Sequence, residues 1–297
     1  MTPLELHRCR EGPRNPESTS DPESGASRSA CRAEKPVRVY RRVGETVPVR
    51  RTGLAPSPLF LLLLAGTAGA GVLAASGPGP VRTAGIVLLV LGGWAASLCL
   101  HEFGHALVAY RGGDRSVRAK GYLTLDIRRY TDPVYSLLLP LLLLAVGGIP
   151  LPGGAVWIER RALRSRGVES AVSLAGPLTN LVLGGVLVAA VGTVTMPVGL
   201  AIGVSYLALV QVLAFVINIL PVPGLDGFGA LEPYLSQPAR AFAAQVRPFA
   251  PLLLFVLIIS IPALAAVLFD ITGALFDVLG GDLAAAGAGQ AEFLFWR

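Results

Sequence analysis

The chain has 297 residues, 53% of them hydrophobic and only 15% charged, with a mean hydropathy of +0.62, which is too apolar for an ordinary soluble domain and describes a polytopic membrane protein. Its net charge of +6 does not indicate nucleic acid, because the basic residues flank apolar runs as topology signals and form no clustered face with a reading motif. Cys9, Cys31 and Cys99 make neither a metal-spaced pair nor an even-numbered framework, which excludes a disulfide scaffold and a cysteine zinc site.

Residues 1–56 are rich in Arg, Ser, Pro and Glu without apolar periodicity, and are expected to form a disordered basic tail. So long a polar stretch is not the n-region of a signal peptide. Lys35, Arg38, Arg41, Arg42 and Arg50, against Glu34 and Glu45, hold this N-terminus in the cytoplasm. A first span is expected over about Ser57 to Ser76 and a second over about Thr83 to Tyr110, separated by the break Gly77-Pro78-Gly79-Pro80. Arg111, Arg115, Arg118 and Lys120 follow at once, as a cytoplasmic exit requires.

Late in that second span stand His101, Glu102, Phe103, Gly104 and His105, an H-E-x-x-H pattern. At about 100° per residue the two histidines lie about 40° apart on one helix face, where both imidazoles reach one metal ion. Glu102 projects beside them, where a general base takes a proton from a metal-activated water. Chance produces such a pattern in roughly one chain in a hundred of this length. Placement carries more weight, since an ionisable residue at bilayer depth costs about 2.5–3.5 kcal/mol and marks function by default. The third histidine, His7, sits in the polar tail. Cys99, about 200° round the helix from His101, reads as a small buried apolar side chain.

Beyond the span, Gly121 to Tyr130 has the partly alternating pattern of a strand, and Ala155-Val-Trp-Ile158 is a second candidate. Trp157 and Tyr130 also read as interfacial anchors. Between them, Ser136 to Gly148 has an apolar core of about a dozen residues, too short for an upright span and compatible with a re-entrant segment. Parity favours the re-entrant reading: were it to cross, Arg160, Arg161, Arg164 and Arg166 would be stranded outside. Further spans are expected over about Ala171 to Gly192, Val198 to Leu220 and Pro248 to Phe269. Residues 270–282 read as amphipathic or a sixth crossing, and 283–297 as a short C-terminal tail. The expected fold is thus an all-α polytopic membrane protein. It has about five to six transmembrane helices, a small re-entrant and β element on the cytoplasmic side, and a membrane-embedded unit over 57–282.

A catalytic zinc site needs three protein ligands and one open position. Asp226 is the best remaining candidate, because it follows a span broken by Pro221 and Pro223, where a carboxylate at membrane depth is tolerated only if it lines a polar cavity. Taken alone, Asp226-Gly227 also reads as an ordinary turn.

Together, HEFGH and the segment Asn218-Ile-Leu-Pro-Val-Pro-Gly-Leu-Asp-Gly227 resemble the two motifs of the site-2 proteases, polytopic zinc metalloproteases that cut within the membrane. Gly113-Asp114, Gly121 to Leu125, Thr131-Asp132-Pro133 and Ala175 to Asn180 are similar to the subgroup without PDZ or CBS inserts, over about 83 to 270. The resemblance implies one Zn2+ per chain, held by His101, His105 and Asp226, with Glu102 as catalytic base. It implies that Asn218 steadies substrate or oxyanion; a helix–helix hydrogen bond accounts for that amide equally well. Asn180 reads as a packing or capping amide before a substrate contact. Gly154, with Gly153, would leave an open strand edge for an unwound substrate, or is simply a loop glycine. The chain departs from the subgroup at Asp126-Ile-Arg-Arg-Tyr130, where members often carry Asn-Pro and His.

The implied activity is an endopeptidase acting on a transmembrane or membrane-anchored substrate, with the lipid bilayer as its medium and no nucleic acid. A transporter or a non-catalytic metal-binding scaffold are the competing classes. No inverted repeat supports the first, and a purely structural metal site would need no base at Glu102. Strong use of Arg over Lys, with abundant Ala, Gly and Leu, points to a GC-rich bacterium. Neither an oligomeric state nor the substrate's identity is written in the residues.

Overall fold

The computed structural model describes residues 56–130 and 156–296. The tail, with Cys9 and Cys31, the expected re-entrant segment Ser136 to Gly148, and Gly153, Gly154 and Ala155 lie outside the described residues.

Helix α1, Pro58–Ala74, starts where the Ser57 side chain accepts from the Phe60 N–H at 3.1 Å. Helix α2, Pro80–Gly112, opens on a proline whose missing N–H would be orphaned in any case, and stops at Gly113, whose φ of 129° no L-residue adopts comfortably. A single turn, α3 (Ser116–Ala119), leads to the short segment 121–130. Helix α4, Arg166–Thr193, is capped by Ser165, which accepts from Val168 N–H at 3.2 Å, and α5 spans Val198–Asn218. There follow α6 (Asp226–Leu231), α7 (Gln237–Val246), α8 (Ala250–Ser260), α9 (Pro262–Val278) and α10 (Leu283–Phe293).

Helices α2, α4 and α5 are long and apolar enough to cross a membrane; α7 and α8, bent by 65° at their junction, make a fourth at most. The expected count of five to six is therefore three or four among the described residues. At 17 residues, α1 is about 25 Å long, short of a hydrocarbon core of about 30 Å. The run expected as a fifth span, Pro248 to Phe269, is broken at Ile261, because Pro262 has no N–H to continue α8.

No strand occurs among the described residues, so the β element is corrected. In the first candidate, Gly121 (φ 78°) and Leu125 (φ 56°) are left-handed, which destroys the pleat and yields two 3-10 turns, Tyr122–Thr124 and Ile127–Arg129. The Asp126 carboxylate accepts from Arg128 N–H at 3.2 Å and closes the second turn. Tyr130 is buried, not interfacial, and donates to the carbonyls of Tyr122 (3.3 Å) and Cys99 (3.5 Å). In the second, the described part, Val156 to Ile158, forms no strand, and Trp157 is exposed.

Helix α2 is the central post. Ile86, Val90 and Trp94 pack with Ala70 and Ala74 of α1, Leu207 and Val210 of α5, and Phe293 of α10. Many of the large side chains left exposed are aliphatic, among them Leu62, Val72, Val182, Val186 and Leu253, as a lipid-facing surface demands. The segment expected as a terminal tail is helical through Phe293. It is capped by Asp282, which accepts from Ala284 and Ala285 N–H, and fixed by Glu292, which pairs with Arg82 and accepts from Thr83 Oγ1 at 2.5 Å.

Candidate metal centre

Three helices converge on the motif. His101 lies about 32 Å along α2 from Pro80, by a rise of about 1.5 Å per residue, so the pair sits toward the end where Arg111 and Arg115 follow. His101, Glu102 and His105 are all buried. Behind them α4 runs unusually close: a β-carbon on Gly104 would meet Thr179 Oγ1 at 2.7 Å and the Ala175 carbonyl at 3.0 Å. Only glycine in the middle of the motif permits that approach.

The third side arrives from α5. Asn218 ends that helix, and Pro221 and Pro223 forbid its continuation, so the chain turns through Gly224 (φ 100°) and re-enters a helix at Asp226, the first residue of α6. The turn delivers the carboxylate to the histidines. His105 Nε2 is 3.0 Å from His101 Nε2, Asp226 Oδ2 is 3.2 Å from His101 Nε2, and Asp226 Oδ1 is 3.5 Å from His105 Nε2. Ligand atoms at about 2.0–2.1 Å from a tetrahedral zinc ion lie roughly 3.3 Å apart. The two Nε2 atoms and the two Asp226 carboxylate oxygens thus lie within the spacing that ligands of one zinc ion need, and the cluster of His101, Glu102 and His105 has the donor atoms to hold an ion.

Two further features fit a metal. His105 Nδ1 lies 2.7 Å from the Val172 carbonyl, which fixes the proton on Nδ1 and leaves Nε2 bare as a ligand. A β-carbon on Gly176 of α4 would collide with both Nε2 atoms, meeting that of His101 at 2.5 Å and also striking that of His105. The glycine keeps open the space into which the histidines point.

Glu102 lies beside the pair. Its carboxylate takes a hydrogen bond from the Val156 backbone N–H, while Oε2 is buried with no partner. One oxygen is thus held and the other is available to a proton. Asn218 and Asn180 are buried nearby in sequence terms, at the end of α5 and one turn beyond Gly176. Asn218 Nδ2 donates at 3.0 Å to Ala214 in its own helix, not to a neighbouring one, and the Oδ1 of each asparagine is without a partner. Gly154 lies outside the described residues.

Sequence reasoning singled out His101, Glu102, His105 and Asp226, which the fold brings together. It assigned no role to Gly176, although Gly176-Pro177 stood out as a segment, and it had no means of finding the Val172 carbonyl or the Val156 N–H, which are backbone groups.

Comparison with known proteins gives relatives of one description. The protein named "Putative zinc metalloprotease Rip2" from Mycolicibacterium smegmatis is 43% identical over 251 residues, covering 83% of this chain and 96% of that protein. Its namesake in Mycobacterium tuberculosis H37Rv is 43% identical over 252 residues, with the same coverage. YwhC of Bacillus subtilis, named in the same words as a zinc metalloprotease, is 30% identical over 179 residues, 55% of this chain and 77% of that protein. No family model and no solved structure matches. The relatives and the long apolar helices identify a bacterial membrane protein, and the cofactor is zinc.

Proposed function

The chain belongs to the site-2 protease family of zinc metalloproteases, and from that premise we propose that it is an intramembrane endopeptidase that cuts a transmembrane or membrane-anchored substrate. The observation that carries this reading is the approach of the Asp226 carboxylate to the Nε2 atoms of His101 and His105, with contacts of 3.0–3.5 Å among them, inside an apolar helix bundle with a free carboxylate oxygen of Glu102 beside it.

His101, His105 and Asp226 hold the ion. When bound, zinc polarises a carbonyl and lowers the pKa of water toward 7. Glu102 takes the proton from the attacking water through its unpartnered Oε2 and returns it to the leaving amine, while the Val156 N–H holds the carboxylate in register. Val172 keeps His105 in the ligating tautomer. Asn218 and Asn180 offer buried amides to the substrate or oxyanion side. A helical substrate hides its carbonyls in its own hydrogen bonds, so it must unwind locally, and spans carrying helix-weakening residues are the preferred class.

Topology agrees with this placement. Tyr130 and Val156, on either side of 131–155, both lie against α2 within one turn of each other, at Cys99 and Glu102. These contacts support the reading that the chain leaves and re-enters on one side, which we assign to the cytoplasm from the basic residues following α2 and preceding α4. The test is proteomics of membrane fractions from a Glu102→Gln strain. Transmembrane precursors that accumulate there and are shortened in the wild type support the reading; identical membrane proteomes with no zinc in the purified protein overturn it.

A further inference from the structure

A six-residue helix is too short to hold itself, yet α6 must present Asp226 to within a few tenths of an ångström. Its far end is where it is held. Ser170 Oγ of α4 donates to the Ala230 carbonyl at 2.6 Å, and Arg240 donates to the Pro233 and Leu235 carbonyls at 2.6 and 3.1 Å. Between these stands Glu232, buried, opening the 3-10 turn that directly continues α6. Its Oε2 accepts from Arg160 at 2.7 Å and its Oε1 pairs with Arg247. Burial works against its negative charge, but the two guanidinium groups outweigh it and hold the carboxyl below the usual carboxylate range.

The two arginines come from different places. Arg247 ends α7, just before the bend into α8. Arg160 is four residues beyond Val156, whose N–H holds Glu102, and it also pairs with Glu169 in the first turn of α4 at 3.0 Å. One carboxylate thus ties together the helix carrying the third donor, the segment touching the base, and the helix whose Val172 and Gly176 back the histidines.

We propose that Glu232 is a positioning residue for the metal centre: by bridging Arg160 and Arg247 it sets Asp226 against His101 and His105. This rests on the reading of Asp226 as a zinc ligand. Residues that orient ligands without touching metal typically carry 10–100-fold in affinity. In the full-length protein in detergent, Glu232→Gln keeps the shape and loses the charge. It is expected to weaken zinc binding about 10-fold or more in competition with a chelating indicator, while the melting temperature of the zinc-free protein stays close to that of the wild type. The remote ion-pair variant Glu292→Gln controls for general loosening and is expected to leave zinc affinity within about twofold. Unchanged affinity in Glu232→Gln, or an equal loss in Glu292→Gln, overturns the proposal. If Glu232→Gln does not fold, Arg247→Gln removes one of the two bridges and is read by the same criteria. Asp226→Asn separates the two levels. If it binds zinc like the wild type, the ligand assignment itself fails; if it weakens zinc while Glu232→Gln does not, only the positioning role fails.

Discussion

At the scale of single residues, the proposed mechanism divides labour between groups that hold metal, a group that moves a proton, and a residue whose merit is having no side chain. Glu102→Gln preserves size but cannot accept a proton, so zinc content is expected to persist while turnover of a verified substrate falls about 100-fold or more. Asp226→Asn is expected to lose zinc affinity together with activity, because it removes the anionic donor. Elemental analysis beside a cleavage assay distinguishes the two. Gly176→Ala is expected to behave as a metal-site variant although it ligates nothing: its β-carbon would push on both Nε2 atoms, and zinc affinity should drop at least about tenfold with helicity by circular dichroism retained. His101, Glu102 and His105 were legible beforehand as a motif, because i and i+4 spacing on one helix needs no tertiary knowledge. Glu232 was not, since its partner Arg160 is 72 residues away and an ion pair between distant elements leaves no local pattern.

At the scale of elements, proline and glycine punctuation located the first helices to within a few residues. Ser57 and Pro80 begin α1 and α2, Gly113 ends α2, and Ser165 caps α4. Prediction failed where conformation depended on something other than punctuation. Leu125 adopts a left-handed backbone that a leucine does not advertise, and α10 is rich in small residues, so nothing in its pattern announced a docked helix. That helix is pinned by Glu292, whose carboxyl is held below the usual range by the Thr83 hydroxyl, against the opposing effect of burial, and by Arg82. A depressed carboxyl contributes stability above its unfolded pKa, and the contribution is lost as pH falls through the folded value. Amide exchange across 283–293, taken relative to the intrinsic rate at each pH, is therefore expected to accelerate on acidification below the ordinary carboxylate range. In Glu292→Gln it should be fast already at neutral pH, and equal protection in the two proteins would contradict the pinning role.

At the scale of the whole molecule, the expected topology puts reporters fused after Arg51, within 159–168 and after Tyr234 all in the cytoplasm, and an external signal from the middle fusion would overturn the shared side assigned to Tyr130 and Val156. Among the described residues three or four helices are long and apolar enough to cross, and hydropathy alone cannot see that Pro262 cuts one of the expected runs in two. What hydropathy also cannot see is order in time. His101 and His105 enter the membrane with α2, but Asp226 follows about 120 residues later, after α4 and α5 have been made, so the proposed three-residue site cannot form until that loop closes. On the proposed assignment, a half-built chain ending before Asp226 carries the base and two donors but lacks the anionic third. The proposed third donor arrives only once α5 is complete, and before α7 and α8 are made.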